Sequence, residues 1–207
     1  MALTTKFDPL FARYAGRLPV PYLRALAKRE SNLNPQSGGG SYWGILQVGY
    51  KNVLPSYNKR RGTNYSPNDL FDAEINVKIA TDLLNRIVVA FGKHPSPNLQ
   101  ADWSNPEWVK LLTAGWNSGY SEAGGLGRVA SWLEARGIPV THDSVFKYAA
   151  SAGATKYLQR EQYDKKRRWQ ASVAELYFAQ PDAAKGYSGL LALALVGFIA
   201  WGAYRLL

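Results

Sequence analysis

The sequence predicts a mainly α-helical body followed by a C-terminal transmembrane helix. Three observations predict this. Apolar residues recur at helical spacing in several stretches between residues 19 and 179. No period-two run of any length and no internal repeat is found among them. From Leu190 to Tyr204 the chain is unbroken apolar. A length of 207 residues suits one compact domain with a small addition. The expected organisation is a body over residues 1–180, a linker over 181–186 and an anchor over 187–207.

Residues 1–18 read as a lead-in. The stretch from Met1 to Phe11 has no apolar core and carries Lys6 and Asp8, so it is not read as a signal peptide. Pro19 and Pro21 bracket a helix start, where proline is tolerated. Leu23, Leu26, Ala27 and Glu30 follow on one helical face, with Arg24, Lys28 and Arg29 expected on the other sides. Asn34 to Ser41, rich in Gly, Pro, Asn and Ser, must be a loop. A second helix is expected from Asp72 to Phe91, ended by Gly92. A third starts at Asn105-Pro106, with Asn105 as cap and Pro106 at the first helical position, and breaks at Gly119. Gly124, Gly125 and Gly127 mark a loop. A short helix carrying Val129, Trp132 and Leu133 is closed by Gly137 and Pro139. A long amphipathic segment covers roughly Ala154 to Ala179, and Pro181 stops it.

The tail from Tyr187 has a single charge, Arg205. About 21 helical residues rising about 1.5 Å each span about 30 Å, one hydrocarbon core. Tyr187, Trp201 and Tyr204 stand near its ends, where interfacial aromatics belong. The body is too small to bury a helix that is apolar on every side.

Hydrophobic residues at 46% exclude a disordered chain. Cysteine is absent, which removes disulfides and any thiol nucleophile or ligand. The only histidines, His94 and His142, lie in polar stretches near proline and look like loop residues. No metal, no cofactor and no Ser-His-Asp triad is therefore expected. A net charge of +10 favours an anionic partner: nucleic acid, anionic lipid or an acidic polymer. The basic residues are scattered apart from Lys165 to Arg168 and no nucleic-acid signature accompanies them, so no specific nucleic-acid partner is expected. Aromatics at 13% suit either sugar stacking or core packing.

A glutamate on an apolar stripe is costly if ionised there. Glu30 either snorkels out at the helix end or is buried with a raised pKa, as an acid that protonates a leaving oxygen requires. Spacing alone leaves both open.

The flanking residues add a resemblance. Glu30-Ser31-Asn32-Leu33-Asn34-Pro35 resembles the Glu-Ser-x-Phe-x-Pro motif of the soluble lytic transglycosylase family, which includes relatives of goose-type lysozyme. Gly44-Ile45-Leu46-Gln47-Val48 is similar to Gly-Leu-Met-Gln-Ile, and Glu74-Ile75-Asn76-Val77 to Glu-x-Asn-Ile. Trp116-Asn117-Ser118-Gly119 stands where the family has Tyr-Asn-Ala-Gly. Gly127-Arg128-Val129 with Trp132-Leu133, and Thr155-Lys156-Tyr157-Leu158-Gln159-Arg160, match the remaining fragments. Each is weak alone; six in order over roughly residues 20–165 are a strong signal. Three departures stand out. The Glu30-to-Gln47 spacing is one residue short, Trp116 replaces a tyrosine, and Tyr120 to Leu126 is an insertion.

The resemblance implies a lysozyme-like fold and a lytic transglycosylase that cleaves the β-1,4 bond between N-acetylmuramic acid and N-acetylglucosamine in peptidoglycan. Glu30 would be the catalytic acid. Gln47, Asn117 and a serine at 37 or 41 would hydrogen-bond the N-acetyl group or the peptide stem, and Trp116 in place of tyrosine would bind substrate with altered sugar stacking. Both Ser37 and Ser41 compete for that role, because the family's active-site serine falls within the shortened stretch from Glu30 to Gln47. Tyr157 would hydrogen-bond Glu30. Asp69, Asp72 and Glu74 read as structural acids near a helix start. Two alternatives remain: a goose-type lysozyme hydrolase, which needs a group to activate water, and a non-catalytic wall-binding or membrane-organising protein.

Peptidoglycan lies outside the cytoplasm, whereas a tail anchor with Lys165 to Arg168 and Lys185 before it leaves the body on the cytoplasmic side. The expected setting is therefore the membrane of a phage particle, with other virion membrane proteins as partners. There the protein would open the host wall during genome entry or help release progeny. The bacterial inner membrane or periplasm is the alternative.

Overall fold

A computed structural model describes residues 4–154, 158 and 163–183. Tyr157 and the expected anchor, 187–207, lie outside these residues. Among the described residues no helix is long and apolar enough to cross a membrane.

Eight α-helices are described: α1 (Asp8–Tyr14), α2 (Val20–Ser31), α3 (Val53–Arg61), α4 (Ala73–Phe91), α5 (Pro106–Ser118), α6 (Leu126–Glu134), α7 (His142–Lys147) and α8 (Tyr163–Phe178). Between α2 and α3 the chain forms an antiparallel sheet of three two-residue strands, β1 (Gly38–Gly39), β2 (Tyr42–Trp43) and β3 (Val48–Gly49). Gly38 pairs with Trp43, and Trp43 with Val48.

The caps follow the sequence. Asp72 accepts from the backbone N–H of Glu74 and Ile75 at 2.8 and 3.0 Å, which starts α4. Asn105 accepts from Glu107 N–H at 2.9 Å, and α5 then runs from Pro106 until Gly119 ends it at φ +77°. Helix α8 packs on α2 and α5, and α4 packs on α5 and α1. The centre is aromatic: Tyr22, Trp103, Trp108, Phe91 and Tyr177 are buried, with Tyr22 and Trp103 rings 5.2 Å apart. Much of the aromatic content is thus core.

Four expectations are corrected. The lead-in contains α1, held by Asp8, which accepts from the Thr5 hydroxyl at 2.9 Å. The loop at Asn34 to Ser41 contains β1, because two-residue strands are too short to show an alternation. Arg24 is not on an outer side but only 5% exposed; it donates to Asp8 at 3.0 Å, Asp182 at 2.6 Å and Gln180 at 2.7 Å. Those bonds fold residues 180–183 back onto the body. His142 opens α7 instead of lying in a loop, whereas His94 does lie in a bend; both are buried.

Candidate active site

Glu30 occupies the last turn of α2. The helix ends at once because Asn32 and Leu33 both take positive φ, 55° and 63°. Asn32 N–H still returns to Lys28 C=O at 3.1 Å and Leu33 N–H to Ala27 C=O at 3.2 Å. This sharp stop leaves the Glu30 carboxyl at the wall of a cavity of about 230 Å³. Gly39, Tyr42 and Gly49 of the small sheet and Gln47 of the connection between β2 and β3 line it. So do Val53 of α3, Leu83 of α4 and Trp116 and Asn117 of α5.

The sheet side is fixed mainly by polar side chains. Ser31 Oγ donates to Ile45 C=O at 2.7 Å. Asn76, fully buried on α4, accepts from Leu46 N–H at 2.9 Å and donates to Trp43 C=O at 2.8 Å and Leu70 C=O at 3.0 Å. Gly44 turns at φ +84° with Asn76 and the Leu70 carbonyl against it, so no β-carbon fits. Trp43 stacks on Phe71 at 5.2 Å. Gln47, at φ +49°, gives its Nε2 hydrogens to Ser37 C=O at 3.1 Å and Gly44 C=O at 2.8 Å. What Gln47 has left to offer the cavity is an acceptor, Oε1.

Trp116 Nε1–H donates to Glu30 Oε1 at 2.6 Å. Burial pushes the Glu30 pKa up to about 7, against the Trp116 bond, which pulls it down. Asn117, beside Trp116, accepts through Oδ1 from Gln170 Nε2 of α8 at 3.1 Å.

The structure therefore brings Glu30, Gln47, Trp116 and Asn117 together. Ser37 and Ser41 do not line the cavity: Ser37 C=O accepts from Gly44 N–H and Gln47, and Ser41 C=O accepts from Tyr50 N–H. The bond to Glu30 expected of Tyr157 lies outside the described residues; Trp116 is the described donor, a role that sequence reasoning had not given it. The acids near α4 are committed elsewhere. Asp69 accepts from Ser66 N–H at 2.6 Å, Asp72 caps α4, and Glu74 pairs with Arg13 at 3.1 Å. The inserted segment Tyr120 to Leu126 does not reach this cavity: Tyr120 packs on Phe91, with ring centroids 5.0 Å apart.

A larger groove of about 1130 Å³ runs along the outer face of α4, past Tyr57, Arg86, Lys93 and Tyr120. Its acids are satisfied: Asp82 by Arg60 and Arg61, Glu122 by Tyr120 and Ser131. The acid whose pKa is raised is in the smaller cavity, and among the described residues Glu30 is the only carboxylate on its wall.

A helical body with a minimal sheet, and a carboxyl of raised pKa at the end of a helix beside it, is the arrangement of the lysozyme-like class of fold. The chain belongs to the Transglycosylase SLT domain family, whose model matches residues 10–139. Among solved structures it is similar to the 70 kDa soluble lytic transglycosylase of Escherichia coli, at 21% identity and a TM-score of 0.55 over 83% of this chain. It is also similar to a 70 kDa soluble lytic transglycosylase in complex with bulgecin A, at 22% identity and a TM-score of 0.54 over 86% of this chain. It spans about a quarter of those proteins, 24% of each. No curated relative matches the chain.

Proposed function

We propose that this chain is a lytic transglycosylase, with Glu30 acting first as acid and then as base on the bond between N-acetylmuramic acid and N-acetylglucosamine. The observation that carries the reading is a single cavity carboxyl whose pKa is raised to about 7. Such a group is part-protonated at neutral pH and can give a proton to the glycosidic oxygen. Indole N–H has no lone pair to accept with. With Trp116 bonded to Oε1, the acidic proton of Glu30 belongs on Oε2, the oxygen free to reach substrate. Once ionised, the same carboxylate takes the proton of the muramic acid 6-hydroxyl as that oxygen closes on C1. The product is a 1,6-anhydro end and no water is consumed. The substrate's acetamido oxygen stabilises the sugar cation in between.

A hydrolase would need a further group to activate water, and Asp69, Asp72 and Glu74 are bound up as caps or ion pairs. Mass spectrometry of fragments released from purified peptidoglycan tests the reading. Anhydro-muramyl ends from the native chain and none from Glu30→Gln are expected. Reducing ends would make the protein a lysozyme instead. Release unchanged in Glu30→Gln would remove Glu30 as the acid.

The setting we propose is a phage particle with a lipid membrane, where the apolar run 187–207 would anchor the enzyme for local wall opening during genome entry or host lysis. Immunodetection in purified particles checks this. Presence in bacterial inner membrane with absence from particles would overturn it.

A further inference from the structure

Asn117 is the end of a buried chain of polar contacts that runs away from the cavity. Its Oδ1 accepts from Gln170 Nε2 at 3.1 Å, and Gln170 Oε1 lies 2.6 Å from His142 Nε2. Gln170 is fully buried and His142 is 5% exposed. His142 N–H in turn donates to Glu107 Oε1 at 2.6 Å, at the start of the helix that carries Asn117 in its last turn. Helices α5, α7 and α8 thus converge on one amide. Both Gln170 and His142 lie beyond the segment that matches the family.

The chain has a direction. An amide oxygen can only accept, so the hydrogen between Gln170 and His142 sits on His142 Nε2. That turns Gln170 Nε2 toward Asn117, which accepts through Oδ1 and is held in that orientation. What remains to Asn117 is Nδ2, a donor. On the same cavity Gln47 has spent its Nε2 on Ser37 and Gly44, and what remains is an acceptor. The cavity that holds Glu30 is therefore offered one N–H donor, from Asn117, and one carbonyl acceptor, from Gln47. A secondary amide carries the complementary pair, a C=O and an N–H.

We propose that Gln170 and His142 are positioning residues that hold the Asn117 carboxamide with its N–H toward the cavity, so that the site selects N-acetylated over free-amino sugars. A free amine is an ammonium group at neutral pH, with donors only, and would face the Asn117 N–H unpaired. The choice of sugar rests on the transglycosylase reading; the geometry of the relay does not.

The test is binding of the full chain, as Glu30→Gln, to a peptidoglycan tetrasaccharide and to its chemically de-N-acetylated twin. We expect tighter binding of the acetylated form and a ratio of affinities that falls about tenfold with Gln170→Met, the scale of one buried hydrogen bond. His142→Gln keeps a donor toward Gln170 and should retain the ratio; His142→Phe should lose it. A change that merely loosens the fold weakens both ligands together and leaves the ratio alone. A ratio unchanged in both Gln170→Met and His142→Phe would overturn the proposal, and so would equal loss in His142→Gln and His142→Phe. If Gln170→Met does not fold, the two His142 variants decide. Should the ratio follow Gln170 while the native chain releases no wall fragments, the transglycosylase reading falls and the relay stands. Cleavage with an indifferent ratio gives the reverse.

Discussion

The indole nitrogen of Trp116 donates to Glu30 Oε1 at 2.6 Å, joining the end of α5 to the end of α2 across the cavity. The bond works against the burial that raises the Glu30 pKa to about 7. Trp116 therefore keeps the acid near neutrality and marks which of its oxygens carries the proton.

The acid form of Glu30 is the one that starts the proposed reaction. We expect kcat/KM on purified walls to fall above about pH 7, following the Glu30 ionisation. Stability has the matching sign. The folded-state pKa is raised above the ordinary 4.5, so the native chain holds a proton that the unfolded chain releases. The resulting penalty is absent below the ordinary carboxylate pKa, grows between about pH 4.5 and 7, and is complete above that. Glu30→Gln should thus be inactive yet more stable than the native chain by on the order of 2 kcal/mol at pH 8, with no gain at pH 4. Denaturant unfolding at the two pH values measures this.

Trp116→Phe keeps a ring in the cavity and removes the donor. Without that bond the Glu30 pKa rises further, so the alkaline limb of the pH–rate profile should move to higher pH. Because the carboxylate is also needed as the base, kcat should fall roughly tenfold or more, the scale of a hydrogen bond to a charged group. A profile that keeps its position while activity drops would mean that Trp116 acts by packing alone.

Asn76→Ala leaves the Leu46 N–H and the carbonyls of Trp43 and Leu70 without this partner. Loss of about 2–4 kcal/mol is expected, since each orphaned buried group costs on the order of 1–3 kcal/mol and the wall can relax in part. Activity should suffer beyond the loss of stability, because Gln47 and Gly44 belong to the same wall. Thermal melts beside wall-digestion rates separate the two effects.

Arg24→Met should destabilise the chain by about 2 kcal/mol or more through the unpaired Asp8 and the freed residues 180–183. Asp182 is 45% exposed in its side chain and recovers solvent, so the cost stays below that of a fully buried pair. Limited proteolysis near residues 180–183 should become faster than in the native chain.

The helices that frame the site were legible because their signals are local. Asn105-Pro106 caps and opens α5 within two positions, and Asp72 does the same for α4. Glu30 was legible because its helix face and its motif agree. The sheet was not, since its two-residue strands at Gly38, Tyr42 and Val48 contain no period to read. Arg24 was misplaced by helix-face arithmetic, which knows nothing of Asp182, 158 residues away. The same blindness hid the contact between His142 and Gln170 and the bond from Trp116 to Glu30, 86 residues apart. A tryptophan where the family has tyrosine was the one available hint, and sugar stacking was the simpler reading of it.

The sheet wall has only two residues in each strand, and much of its hold on the helices runs through Ser31 and Asn76. Few ladder bonds protect its amides, while the helical body rests on a continuous apolar core. The chain thus has two cooperative units of unequal strength, and the weaker one carries half of the cavity. Amide hydrogen exchange should release Gly39 to Gly49 before the interior of α4 or α5. On warming, cleavage should cease while the helical circular dichroism is still intact, so the enzyme's working range is set by its smallest element.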